Sequence, residues 1–315
     1  MLDIEGHDKM KAMLSPGYSG RETAGVEQDV DDQLKNLVDM IRRKYATDGR
    51  GGEFRPLDLA KVSGYFTLDV ISRVALVRQY YAPDAKDKKN MLGSFVRHGL
   101  SQQECEVEAL FMFVAGSDTT AAVIRVTLLY ILSSPLVYHR LKHEIAEALR
   151  EERVSSPIKQ SEAKSLPYLQ AVIYEGLRIR PVALGLMPKE VPPEGDTIHG
   201  KFIPGGTSIG MNPSGLLRSK ELFGADADMF RPERFLEIDK EARTKMQRDV
   251  ELTFGYGRWM CAGKPIAFLE LNKVYFELFR AFDFQIVDPR NSMDSSSAML
   301  FMDKDFYVRV IEASD

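Results

Sequence analysis

Between positions 101 and 134 the chain has no proline, and apolar residues run densely on both sides of a short polar island before Pro135 stops the pattern. The run predicts a single helix of roughly 30 residues, on the order of 45 Å long, enough to cross a whole domain. Val137, Leu141, Ile145 and Leu149 then recur at four-residue spacing, with His139, Lys142, Glu144 and Glu147 outside the stripe, which predicts an amphipathic surface helix over 137–150. Leu169, Val172, Ile173 and Leu177 repeat the helical period over 166–178, and Pro181 ends it. The stretch 197–211 reads instead as two short strands around a Pro204-Gly205-Gly206 turn. A helix beginning near Pro265 carries Ala267, Leu271, Val274 and Leu278 on one side, and 301–311 reads as strand. The charged, turn-rich stretch 80–90 reads as a solvated loop or helix entry. The predicted class is mainly α with a minor β part, in a single domain spanning 1–315.

Composition narrows the chemistry. The 315 residues are 44% hydrophobic with a net charge of −4, which gives no basic face for nucleic acid. The two cysteines, Cys105 and Cys261, exclude a disulfide framework and zinc sites built on paired cysteines, and point to a reducing compartment. The first residues, charged from Asp3 onward, lack the apolar core of a signal peptide or anchor, and Asp118 and Arg125 interrupt the most apolar run, against a membrane span.

Three constellations carry chemistry. Cys261 closes the Gly-rich stretch Phe254-Gly-Tyr-Gly-Arg-Trp-Met-Cys, just ahead of a helix start, where oriented N–H groups favour a metal-binding thiolate. Positions 257–264 have one residue too many for a phosphate loop, and His143-Glu144 lacks the second histidine of a zinc helix. Asp118, in Ala115-Gly116-Ser117-Asp118-Thr119-Thr120, is a carboxylate between apolar flanks, expensive to bury without a use or a partner. Glu175 and Arg178, three apart, share a helix face, and Arg234 follows in Pro232-Glu233-Arg234-Phe235.

These motifs, in this order, resemble those of the cytochromes P450, the haem-thiolate monooxygenases. The cysteine stretch is similar to the family's F-x-x-G-x-R-x-C-x-G loop, taking Phe254, Gly257, Arg258, Cys261 and Gly263 as the fixed positions. The second matches [AG]-G-x-[DE]-T-[TS], the third E-x-x-R followed by P-x-R-F, and His7 and Lys11 stand where the family's W-x-x-x-R helix has Trp and Arg. Within the family the chain looks most like fungal members related to pisatin demethylase.

The resemblance implies a P450 fold around haem b, with Cys261 as the iron ligand and Phe254 shielding the sulfur. Gly257 and Gly263 would admit the porphyrin, Arg258 with His7 or Lys11 would meet its propionates, and Gly116 would leave room beside it and loosen the helix. Asp118 and Thr119 would deliver protons, and Glu175, Arg178 and Arg234 would form a buried charge triad. Substrate contacts are expected from Phe111, Met112 and Ala115, from 182–187 with Val182 and Leu184, and from 298–300 with Met299.

The implied reaction inserts one atom of O2 into a small hydrophobic molecule, by hydroxylation or oxidative demethylation in fungal secondary metabolism. Electrons would come from NADPH through NADPH-cytochrome P450 reductase. Family members are much longer: an anchor, a hinge and the first sheet are expected to be missing before His7, and several tens of residues roofing the pocket between Ala75 and Tyr80. The alternative is therefore a catalytically impaired haem-binding remnant. Full-length relatives sit on the endoplasmic reticulum, whereas this chain as written would be soluble and cytoplasmic.

Overall fold

The computed structural model describes residues 4–23, 25–49, 53–75, 89–185 and 187–313. Among these described residues run twelve helices: α1 Ile4–Tyr18, α2 Val26–Lys44, α3 Leu59–Ala75, α4 Met91–Arg97, α5 Gln102–Leu132, α6 Pro135–Arg150, α7 Gln160–Ala163, α8 Pro167–Ile179, α9 Pro213–Leu217, α10 Lys220–Phe223, α11 Lys240–Glu251 and α12 Lys264–Ala281. Ten short strands accompany them: β1 Ala46–Thr47, β2 Leu57–Asp58, β3 Lys189–Glu190, β4 Asp196–Ile198, β5 Lys201–Ile203, β6 Ser208–Ile209, β7 Phe282–Ile286, β8 Asp294–Ser297, β9 Phe301–Lys304 and β10 Tyr307–Glu312. The class is mainly α with a minor β part.

The long central helix forms as its sequence dictates. Ser101 and Glu104 make a reciprocal capping box at its start, and Pro135 opens the next helix directly after its end. By length and composition alone α5 could cross a bilayer, but its second half buries Ala121, Val123, Ile124, Leu128 and Ile131 inside the protein. Three helices close on it. Thr67 of α3 donates to the Ser117 carbonyl at 2.8 Å, Tyr275 of α12 donates to the Val123 carbonyl at 3.2 Å, and Gly176 of α8 lies tight against Thr127.

Local structure departs from the pattern reading in three places. On α6 the buried stripe is Val137, Leu141, Ile145 and Ala148, while Leu149 faces solvent, because strict four-residue spacing drifts off a 3.6-residue period. The hairpin in 197–211 turns at His199 and Gly200, both at positive φ, joining β4 to β5. The turn at Pro204–Thr207 leads instead into β6, which pairs with β3. Finally, 301–311 is two strands, split where Asp305 adopts φ +60° and Phe306 buries.

β10 sits in a four-stranded sheet, parallel to β1 and antiparallel to β2 and β7, so both ends of the chain share one sheet. The expected gap between Ala75 and Tyr80, and positions 80–88 of the charged loop, lie outside the described residues. His98, His139, His143 and His199 are exposed.

Candidate haem-thiolate site

The chain enters the cysteine loop through a 3-10 turn, Leu252–Phe254, then reverses at Gly255 (φ +77°, ψ −178°), a conformation open to glycine alone. A Cβ there would come within 2.8 Å of the Trp259 carbonyl. Gly257 also has positive φ. The Cys261 N–H donates to the Phe254 carbonyl at 2.7 Å, closing the loop and presenting an exposed, unpaired thiol two residues ahead of the α12 N-cap. Gly263, by contrast, has ordinary helical dihedrals; a Cβ on it would point at the Cys261 sulfur, 3.7 Å away. The turn thus needs Gly255 and Gly257, and Gly263 matters for the space it leaves at the sulfur. Phe254 is held by a tilted ring contact with Phe268, which meets Tyr174 in another tilted contact.

Helix α1 clamps the loop from the side. Lys11 Nζ donates to the Arg258 and Met260 carbonyls at 2.6 and 2.7 Å, Asp8 pairs with Arg258 at 3.2 Å, and the His7 ring lies 4.4 Å from that of Trp259. Farther along α1, the Tyr18 hydroxyl donates to Glu108 of α5. Burial, then this carboxylate and the Cys261 sulfur, push the phenol far above its usual range, so it stays a donor.

Glu175, Arg178 and Arg234 meet in the core at 0%, 0% and 2% exposure. Arg178 makes a bidentate pair with Glu175 at 2.7 and 2.8 Å, and Arg234 Nε lies 3.1 Å from both carboxylate oxygens. The remaining guanidinium N–H groups donate to the carbonyls of Leu217, Ala227, Met229, Phe223 and Asp226, which pins the segment 217–235 onto α8. Asp226 accepts from Arg231 and Arg234, and these pairs hold its carboxyl down at about 2.

On α5, Asp118 is exposed, and the Thr119 hydroxyl donates back to the Ala115 carbonyl at 2.8 Å. Ser117 does the same to Phe113 at 2.5 Å. Such back-bonding bends and loosens a helix. Gly116 plays another part than the one expected: a Cβ there would meet Ile71 at 2.8 Å, so its missing side chain lets α3 pack against α5 and opens no room for a ligand.

A family model described as Cytochrome P450 matches residues 81–310. The chain is 43% identical to the cytochrome P450 monooxygenase aba1 of Botryotinia fuckeliana, over 99% of this chain and 75% of that one, and 41% identical to ABA1 of Pyricularia oryzae, over 98% and 74%. The chain belongs to the cytochrome P450 family. A solved cytochrome P450DA haem domain shares the fold, with a TM-score of 0.76 at 18% identity, covering 98% of this chain and 77% of that one. The alignment to the Botryotinia protein runs over 382 positions against 315 residues here, so at least 67 of them have no counterpart in this P450.

Family and fold imply a haem iron. The residues present suit one: an exposed thiol on a glycine-shaped loop, with open space at Gly257 and an apolar stripe exposed on α5. One register needs correcting. The arginine of the P450 loop stands two residues before the cysteine, where this chain has Trp259; Arg258 comes one residue earlier and turns to Asp8.

The substrate-side residues divide. Phe111 and Ala115 lie on the stripe that also exposes Val107, Leu110 and Val114, whereas Met112, 4% exposed and one residue round the helix, belongs to the core. Val182 and Leu184 are partly buried, and the Leu184 N–H donates to the Met299 carbonyl at 3.0 Å, bringing 182–185 and 298–300 side by side. Leu186 lies outside the described residues. Pattern reading missed Gly255, Asp8, Tyr18 and Glu108. Of these only Gly255, inside a recognised loop, carried a sequence signal.

Proposed function

We propose that this P450 holds haem b through Cys261 and inserts one atom of O2 into a small hydrophobic molecule, by hydroxylation or oxidative demethylation, drawing electrons from NADPH through a separate NADPH-cytochrome P450 reductase. The observation that carries this is the free, exposed Cys261 thiol on a loop that Lys11, Asp8 and the Phe254 carbonyl hold in shape. Haem bound there supplies dioxygen activation and one-electron chemistry.

The chain's own residues would do the rest. Phe254 screens the sulfur from water on the loop side, while Gly257 and Gly263 leave space for the macrocycle. Asp118, exposed to solvent, would take protons from water and hand them to the adjacent Thr119 hydroxyl, which releases its own proton, donated at rest to the Ala115 carbonyl, as it accepts the new one. Phe111, Ala115, Val182, Leu184 and Met299 offer an apolar surface to the substrate. The unit spans 1–315, supported by β1 pairing with β10 and by α1 gripping the cysteine loop.

A second reading, a haem-binding remnant with impaired catalysis, is favoured by the uncovered α5 stripe. The reduced, carbon-monoxide-bound absorption spectrum of wild type and Cys261→Ser tests the thiolate directly: wild type should show the thiolate band and the variant should lose it. A wild-type spectrum without that band overturns the assignment. Turnover with reductase and NADPH then separates enzyme from remnant, and Thr119→Ala should keep haem while uncoupling NADPH use from product.

A further inference from the structure

The hairpin β8–β9 is a two-stranded sheet of its own, and among the described residues only the single bridge between Ala183 and Leu300 links it to other strand-like backbone. Asp303 anchors it. Its side chain is 0% exposed, although its strand neighbours Met302 and Lys304 face solvent. The carboxylate accepts from Arg180, just past α8, and from the Ser295 hydroxyl across the hairpin at 2.7 Å. The Asp303 carbonyl accepts from Arg125 of α5 at 2.9 Å, and Arg125, itself buried, also donates to the Ala121 carbonyl at 3.1 Å. The Arg180 guanidinium lies 4.0 Å from the centroid of the Phe301 ring. One aspartate therefore clasps a hairpin, the end of α8 and the middle of α5.

We propose that Asp303 is a positioning residue for substrate: clasped to Arg180 and Arg125, it fixes 298–300 against 182–185 and both against α5, and so sets which apolar shapes the site accepts. This rests on the monooxygenase reading above. Both segments hang directly from the clasp, since Arg180 stands two residues before Val182 and Asp303 three residues after Leu300. Between them run the Ala183–Leu300 bridge and the bond from the Leu184 N–H to the Met299 carbonyl. Gly185 lets Met299 close, because a Cβ there would meet the Met299 Cγ at 3.3 Å. A wall built from two short segments is only as well defined as the groups that hold their ends. A buried carboxylate against a guanidinium defines it sharply: charge-assisted hydrogen bonds are strong and directional, and removing one partner leaves the other charge buried and uncompensated. The Phe301 ring beneath Arg180 holds the guanidinium in place from the hairpin side. Asp303 itself, enclosed by these partners, touches no substrate.

The test compares imidazole, small enough to reach haem iron without leaning on a pocket wall, with 4-phenylimidazole, whose phenyl ring must fit against one, each titrated into the haem-loaded protein and followed by the Soret shift. Asp303→Asn, nearly the same size but without the charge, should weaken phenylimidazole binding by roughly tenfold, the scale of a one-methylene misfit in an apolar pocket, and leave imidazole unchanged. Arg180→Gln should do the same, and the double variant, with no charge left unpaired, should lose less than the two single losses together. Ser295→Ala removes one bond to the same carboxylate from an exposed position, so it loosens the clasp without risking the fold and should weaken phenylimidazole in the same direction by less. Amide hydrogen exchange of the loaded protein locates the change: in Asp303→Asn the Leu184 N–H should exchange about tenfold faster, while the Arg231 N–H, bonded to Glu175, keeps its rate. Equal weakening of both ligands, an unchanged ratio of their affinities, or an unchanged Leu184 rate overturns the proposal alone. A wild-type chain that takes up no haem overturns it together with the haem reading.

Discussion

The Glu175–Arg178–Arg234 knot and the outer face of α5 are built on opposite terms. In the knot every charge is out of water, and the guanidinium N–H groups not facing Glu175 find carbonyls or Asp226. On α5, Val107, Leu110, Phe111 and Val114 stand 64–67% exposed in one stripe, apolar with nothing described against them. The knot draws on residues 175–235, all present in this chain, so it closes by itself. The stripe lies on a helix whose P450 relatives carry at least 67 further aligned positions. The buried knot thus closes on residues of this chain, while the α5 stripe has nothing packed on it among the described residues.

Breaking the knot should produce the largest effect. Arg178→Ala removes the bidentate partner of a fully buried carboxylate and strands the carbonyls of Leu217 and Ala227. Removing one member of a buried ion pair costs about 3–5 kcal/mol. Urea unfolding of the haem-free protein should show this loss, and a change below about 1 kcal/mol would mean that the knot does not hold the fold.

Gly116→Ala probes the seam between α5 and α3. Its Cβ would meet Ile71 at 2.8 Å, and overpacking of that kind costs about 1–3 kcal/mol. Ile71→Ala should recover part of the loss in the double variant. Strictly additive losses would mean that the two residues do not touch.

A smaller, pH-dependent effect comes from α12. Glu270 is fully buried, with no hydrogen-bond partner on either oxygen among the described residues, and burial pushes its carboxyl well above the usual range. The folded state then binds this proton more tightly than the unfolded chain does, so Glu270 erodes stability as pH rises above about 4.3, the unfolded carboxylate value. Glu270→Gln should melt higher than wild type, by a margin that widens from pH 5 to pH 8. A constant margin would show that the carboxylate is charged and partnered in the fold.

What the sequence made legible follows the range of the forces involved. The long helix rests on local spacing and lies where the pattern placed it; Glu175, Arg178 and Arg234 meet in the core, and Cys261 stands on a loop closed by its own N–H. The hairpin misreading came from weighing Pro204-Gly205-Gly206 over His199-Gly200, although the tighter two-residue turn is the one whose positive φ matches strand twist. Gly116 was misread because its neighbour, Ile71, is 45 positions away, and only the packing of α3 on α5 shows what fills the space.

The finest test asks whether the α5 stripe is truly idle in the fold. Leu110→Ser, at a 67% exposed position, should change the unfolding free energy of the haem-free chain by no more than about 0.5 kcal/mol, the range of ordinary surface substitutions. Met112→Ala, on the opposite face of the same helix and buried, should cost about 2–5 kcal/mol. The contrast isolates burial, because both positions sit in one helical turn and share its backbone. A Leu110→Ser loss approaching that of Met112→Ala would mean that the stripe is covered in solution, and the substrate side would then be as complete as the knot.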